Sequence, residues 1–420
     1  MNLLDLPINI ILILINKLNI TSSYLNFRST CKLFYNLMKT VKYFHENGKI
    51  KCILPFDNNI PVDSHFYYFE DGSLQKIMSY ELGLISGKYE EYYDNGRLKY
   101  IGNYCDNKKY GIHKEYHRNS SVKSTCKYIF NKKNGIEYTY YDNNQIKSVS
   151  KYIFNKRNSV YLEYFINGFL KIKANYKDNE LSGKFYEYFA GGFIKVEKNY
   201  LFNKLNGKYI EYDILGNIIY DANYINDKID GYCLSFYNDH KVKHHCFFEN
   251  GILQGSYRCY HSNGCLYQID NYVDGLLHGK SLEYNENNKL VMKCFFKESE
   301  LHGNFVEYYD NGNIKSRKYF KNGIIDGRFI SFYENGKIKR KGKFRNGEFF
   351  GMQRDYNNEG TIISEYYKGF TQDFETYKVY YTNGKIKSYY SKFDNLENIH
   401  IYNEKGTLIN HETIRTFDDK

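Results

Sequence analysis

One aromatic residue recurs every 24 positions in this chain, fourteen times without a slip, from Tyr68, Tyr92 and Tyr116 to Phe332, Tyr356 and Tyr380. Six residues after each stands an aliphatic, as at Leu74, Leu98, Val122, Ile338, Ile362 and Ile386. Self-similarity at a fixed period of this length specifies a repeat array, in which each unit needs only its neighbours to bury its apolar face. Function is then expected on an extended surface rather than in one catalytic pocket. The period overrides the two or three ordinary domains that 420 residues would otherwise suggest.

Each period reads as a β-hairpin. Most repeats open on glycine, with Asp63, Ser159 and Glu375 among the exceptions, and residues 304 to 326 are representative: NFVEYYDNGNIKSRKYFKNGIID. Short runs of Tyr, Phe, Val and Ile flank a turn at Asn311-Gly312, and a second turn follows near the end of the repeat. The absence of proline after Pro61 suits a long run of paired strands that need every backbone donor. The fold class expected is mainly β: an elongated single-layer antiparallel meander of about 14 tandem hairpins, preceded by a small α-helical motif. The boundaries are residues 1–42 for the helical motif and 43–62 for a junction with a partial repeat. Fourteen repeats follow over 63–398, then a truncated repeat and cap over 399–420.

Turn length sets the register. A three-residue loop closed by a left-handed glycine places the invariant aromatic opposite the invariant aliphatic, Tyr92 with Leu98 and Tyr308 with Ile314, on one apolar face. The aromatics at Tyr104, Tyr176 and Phe320 are expected on that same face, making Tyr92 and its counterparts the spine of the array. The same register sets Glu91 against Lys99, Glu115 against Lys123, Glu163 against Lys171, Glu187 against Lys195 and Glu307 against Lys315 on the other face. Binding is sought there, at Tyr93, Tyr141, Tyr309 and Tyr333, and at a basic ridge of Lys99, Lys123, Lys147, Lys171 and Lys195.

Catalytic chemistry has no signature. No phosphate-binding loop, HExxH zinc motif or GxSxG elbow occurs, so the chain is read as non-enzymatic and without cofactors. Nine cysteines form no CxxC pair. Cys126, Cys246 and Cys294 share one repeat position with Ala174 and Ala222, which marks a small buried site rather than a metal cluster. In the triplet His244-His245-Cys246, neighbouring strand residues face opposite ways and cannot converge on an ion. Nucleic acid is disfavoured because the recurrent aromatics are assigned to the core. The net charge of +11 leaves room for acidic partners, including weak association with anionic lipid.

The first 40 residues do not repeat. Ile8–Ile15 is too short an apolar run to cross a bilayer and lacks the flanks of a signal peptide, so a cytoplasmic location is expected. Asp5, Leu6 and Pro7 read as a helix start, and a second helix is expected from about Ser23 to Met38.

Two resemblances follow from these residues. The stretches Tyr92-Tyr93-Asp94-Asn95-Gly96-Arg97-Leu98-Lys99 and Tyr308-Tyr309-Asp310-Asn311-Gly312-Asn313-Ile314-Lys315 resemble the YYxNGxxK variant of the MORN repeat. Its His-Gly opening recurs at His278-Gly279 and His302-Gly303, although tyrosine stands where common members have tryptophan. The resemblance implies twisted hairpin arrays used in scaffolding, self-association and, in some members, lipid association. Leu6, Pro7, Ile10, Leu14 and Leu18, with Arg28, Cys31 and Phe34, resemble an F-box, departing from it at Ile8 and Asn9. That resemblance implies docking on the adaptor subunit of a cullin-based ubiquitin ligase through Leu6, Pro7, Ile10, Leu14, Leu18, Cys31 and Phe34. The combination, with its Asn-, Ile-, Lys- and Tyr-rich usage, is similar to proteins of giant DNA viruses of amoebae, which would place it in host cytoplasm. The function expected is an adaptor joining a ligase to a protein substrate. The alternative is a repeat scaffold on proteins or anionic membranes.

Overall fold

The structure is a computed structural model and describes residues 40–58, 60–369 and 374–415. The expected helical motif falls almost wholly outside the described residues. Among the described residues every regular element is a β-strand, 38 strand segments in all, paired antiparallel with their chain neighbours. The segments outnumber the expected strands because the first strand of many repeats is broken, as in Leu276–Leu277 and Gly279–Tyr284, at the residue before its glycine. The chain divides into two compact units. The first comprises residues 1–205 with Ile214–Gly216, and the second comprises Asn206–Asp213 with residues 217–420.

Within the first unit, strands Leu84–Tyr92 and Leu98–Cys105 show the repeat. Tyr92 lies opposite Leu98, as the register argument required. The Tyr93 and Arg97 main chains close a three-residue loop (2.8 Å), and Gly96 ends it at φ 75°. The next step departs from expectation. Glu91 pairs with Tyr100, not Lys99, so Lys99 is the extra residue of a β-bulge. The second unit repeats this at Glu307–Ser316 beside Tyr308–Ile314.

That one residue reverses the assignment of faces. A bulge shifts the alternation of side chains downstream of it. Tyr104 therefore lies on the face opposite to Tyr92, and the aromatic spine is built by other positions. Tyr89 sits directly opposite Gly102. Its ring meets Tyr100 at 5.7 Å and Tyr104 at 5.2 Å between centroids. Tyr161 with Tyr176 (6.1 Å) and Phe305 with Phe320 (5.6 Å) repeat the contact edge to face. The small position read from sequence lies at the centre of this face: Cys126, Ala174, Ala222, Cys246 and Cys294 are all buried. Room there is tight. A Cβ on Gly102 would come within 2.1 Å of His113 Nδ1. The invariant aromatics Tyr92 and Tyr308 are only half-buried.

The glycine that opens most repeats marks a second bulge. Between the Met78–Tyr89 and Tyr80–Ile85 pairs, three residues oppose one, and Gly87 bridges them at φ 103°. Asp63 and Ser159 hold the same position at φ 55° and 86°, which costs an L-residue what glycine is spared. The partial repeat in the junction is a true hairpin, with Phe44 opposite Ile50. The chain's described end keeps the register too, Tyr402 opposite Leu408, and its last strand Leu408–Arg415 is exposed throughout.

Candidate interaction surfaces

Successive repeats are stitched together along both turn edges. At the first turn, Asn311 accepts the Asn313 N–H on Oδ1 (2.9 Å) and donates from Nδ2 to the Glu334 carbonyl of the next repeat (3.0 Å). At the second, Asn107 donates its N–H to the Ile85 carbonyl (2.9 Å) and accepts the Ile85 N–H on its side chain (2.8 Å). Asn131, Asn155 and Asn179 repeat this reciprocal pair.

The tyrosines singled out for binding belong to the same stitching. Tyr93 donates its hydroxyl to the Tyr116 carbonyl, Tyr141 to Tyr164, Tyr309 to Phe332 and Tyr333 to Tyr356, each at 2.8 Å. The acceptor is always the main chain of the next invariant aromatic. Where the repeat has histidine instead, as at His117 and His261, Nε2 bonds the equivalent carbonyl. Their rings remain half-exposed, and lysines lie over them: Lys147 on Tyr141 (5.7 Å), Lys315 on Tyr309 (5.9 Å) and Lys339 on Tyr333 (5.6 Å).

Four of the five expected ion pairs form although the bulge moves their residues out of direct opposition. Lys171–Glu163 and Lys195–Glu187 close at 2.8 Å, Lys99–Glu91 at 3.4 Å and Lys123–Glu115 at 3.5 Å. A bulged lysine is long enough to reach across. The fifth does not form, because Glu307 takes Lys318 (3.2 Å) and the Ser316 hydroxyl instead. Burial works against the Glu307 charge, but those two partners hold its carboxyl below the usual range. The ridge of Lys99, Lys123, Lys171 and Lys195 is thus largely neutralised by its own repeats. The larger charge surplus lies elsewhere: residues 303–350 carry eleven Lys and Arg against five Asp and Glu, although Lys318 pairs with Glu307 and Arg340 with Asp355. A groove of roughly 470 Å³ opens there beside Tyr309, Lys315, Tyr333, Lys339 and Arg340.

No described residues gather into a group fit for a metal ion. His244 turns inward to Tyr257, while His245 lies on the other face against Tyr232, at 5.4 Å between rings, as strand alternation required. Cys233 and Cys246 are directly opposed and buried, and the contact draws the Cys233 thiol below its ordinary value. No helix among the described residues is long and apolar enough to cross a membrane. Leu6, Pro7, Ile10, Leu14, Leu18, Cys31 and Phe34 lie outside the described residues.

One surface escaped the repeat-averaged reading. Phe130, Phe154 and Phe202 project from second turns with 55%, 55% and 60% of their surface exposed. The signal was present as a sequence, Tyr-Ile/Leu-Phe-Asn-Lys, occurring three times at residues 128–132, 152–156 and 200–204.

Comparison with known proteins bears on both regions. An F-box domain model matches residues 3–46. A model described as a MORN repeat variant matches residues 39–58, 85–106, 133–153, 277–298, 301–322, 325–346 and 376–395. No curated protein matches the chain. Among solved structures it is similar to a TcdB2-TccC3-Cdc42 structure at 11% identity and a TM-score of 0.14, over 90% of this chain and 24% of that one. It is also similar to a putative 6-phosphogluconolactonase from Bacteroides uniformis (13% identity, TM-score 0.12, 90% and 97% covered). A eukaryotic initiation factor gives 9% identity and a TM-score of 0.13 over 87% and 86%. The chain spans about a quarter of the TcdB2-TccC3-Cdc42 chain it matches. At these scores none of the three bears on what this chain does.

Proposed function

We propose that this chain is a non-catalytic adaptor whose F-box recruits a cullin-based ubiquitin ligase and whose repeat array holds a protein substrate. The observation that carries the reading is the F-box match over residues 3–46, adjoining the first MORN-variant match at 39–58. A ligase-binding module followed by a long, repetitive and exposed surface is the division of labour a substrate adaptor needs. Leu6, Pro7, Ile10, Leu14, Leu18, Cys31 and Phe34 would supply the apolar contact with the ligase's adaptor subunit. Action in the cytoplasm follows from that partner, and in a host's cytoplasm if the chain is viral. Capture of the purified adaptor subunit by the full chain should be strong and should be lost on replacing Leu6, Ile10 and Leu14 with aspartate. Unchanged capture would end this reading.

A second reading, a scaffold on proteins or anionic membranes without a ligase, is favoured by the charge surplus over residues 303–350. It expects sedimentation with acidic but not neutral vesicles, weakened by salt.

A further inference from the structure

The first loop residue of the second turn sits at positive φ in every described repeat, and asparagine or aspartate is the residue that tolerates it best. The chain supplies them at Asp106, Asp178, Asn226 and Asn250, all with φ between 49° and 53°. At Phe130, Phe154 and Phe202 it places a bulky aromatic instead, at φ 47°, 46° and 50°, and Leu82 holds the same position at φ 47°. Each phenylalanine is opposed by its backbone and by its exposure to water. Phe130 rests against the exposed Tyr110 ring (6.2 Å) and Lys108 (5.8 Å) of the preceding repeat, but neither hairpin formation nor core packing accounts for the three, and such outliers concentrate where a surface does work.

The neighbouring residues narrow the partner. Two positions beyond each phenylalanine stands an exposed lysine, Lys132, Lys156 and Lys204, of which Lys156 is loosely paired with Asp178 (3.9 Å). An apolar tip beside a cation calls for a partner with apolar side chains and carboxylates. A flat anionic bilayer fits poorly, because Asp106 and Asp178 hold the same turn position in this row and would meet the lipid charge at the same height. Edge-to-edge pairing of two copies fits poorly as well, since it sets lysine against lysine.

We propose that this turn edge of the first unit holds an extended protein segment with apolar residues about three apart and Asp or Glu between them. The spacing follows from geometry. Phe130 and Phe154 sit on consecutive repeats, two strands or about 10 Å apart, which an extended chain spans in about three residues. The proposal rests on the array being the substrate-holding part, but its test needs no ligase component. Loss of adaptor capture and loss of segment binding are therefore separate failures.

The test pans a display library of random short peptides against the full chain and titrates the selected peptides by fluorescence anisotropy. Enrichment of acidic peptides with spaced apolar residues is expected. Binding should fall at least about tenfold in F130N/F154N and also in K132E/K156E, as for truncated aromatic and charged anchors at interfaces. Amide hydrogen exchange of both variants should show the hairpins intact. Peptides that bind F130N/F154N as tightly as the parent, or no enrichment at all, would overturn the proposal. So would phosphatidylserine vesicles that sediment the parent chain but not F130N/F154N, which would assign the edge to a bilayer.

Discussion

Replacing Phe130 with asparagine separates a tip that serves a partner from one that serves the fold. Two terms oppose each other. Relief of the left-handed backbone favours asparagine by up to about 1 kcal/mol. Phe130 is 55% exposed, so a little under half of a side chain of about 200 Å² is removed from water, on the order of 80 Å², worth about 2 kcal/mol. The expected change is a net cost of about 1 kcal/mol. Phe185, whose ring packs on Tyr200 at 5.8 Å on the core face, is the control. Phe185→Asn should cost about 3 kcal/mol or more, as core aromatic truncations do. Stability in a repeat array is local, so the assay is hydrogen exchange by mass spectrometry on peptides covering 122–164 and 183–201. If Phe130→Asn loosens its hairpin as much as Phe185→Asn loosens its own, the tip is structural and the reasoning behind the binding edge fails.

Other perturbations probe the stitching and the core. Tyr309→Phe and Tyr333→Phe each strip one hydroxyl from a carbonyl of the next repeat and should cost about 1 kcal/mol locally, read by hydrogen exchange of peptides covering each turn. Gly102→Ala should destabilise its hairpin by about 1–3 kcal/mol through collision with the His113 ring, and G102A/H113A should recover part of that, giving a non-zero coupling in a double-mutant cycle. The Glu365 carboxyl is held below its ordinary value, chiefly by the Tyr380 hydroxyl and also by Arg354. A depressed carboxyl contributes stability above its unfolded value and loses it as pH falls through the folded one. Unfolding free energy should therefore drop below about pH 4.5 in the parent chain, and Glu365→Gln should flatten that slope.

Much of the fold was legible because repetition amplifies weak signals. The three-residue loop, the Tyr92–Leu98 pairing and the buried small position of Ala174 and Cys246 all followed from counting residue types at fixed offsets. The faces were misread for one physical reason. The bulge at Lys99 has no residue-type signature, since a lysine suits both a solvent-facing strand position and an extra, unpaired one. Without it, alternation carried Tyr104 to the wrong side. Aligning repeats has the opposite weakness as well. It brings out what all repeats share and hides what a few of them do differently, so Asn131, Asn155 and Asn203 were visible as turn residues while the phenylalanines preceding them were not.

The reciprocal bonds of Asn107 and Asn311 reach only to the adjoining repeat, and every repeat offers its neighbour the same main-chain groups. A gene encoding such a chain can gain or lose one period through misaligned exchange between its own copies, and the join falls between surfaces that already fit. Array length, and with it the set of tips on display, can change by whole periods without a new fold having to be found. A chain assembled in this way is free to vary its reach faster than its core.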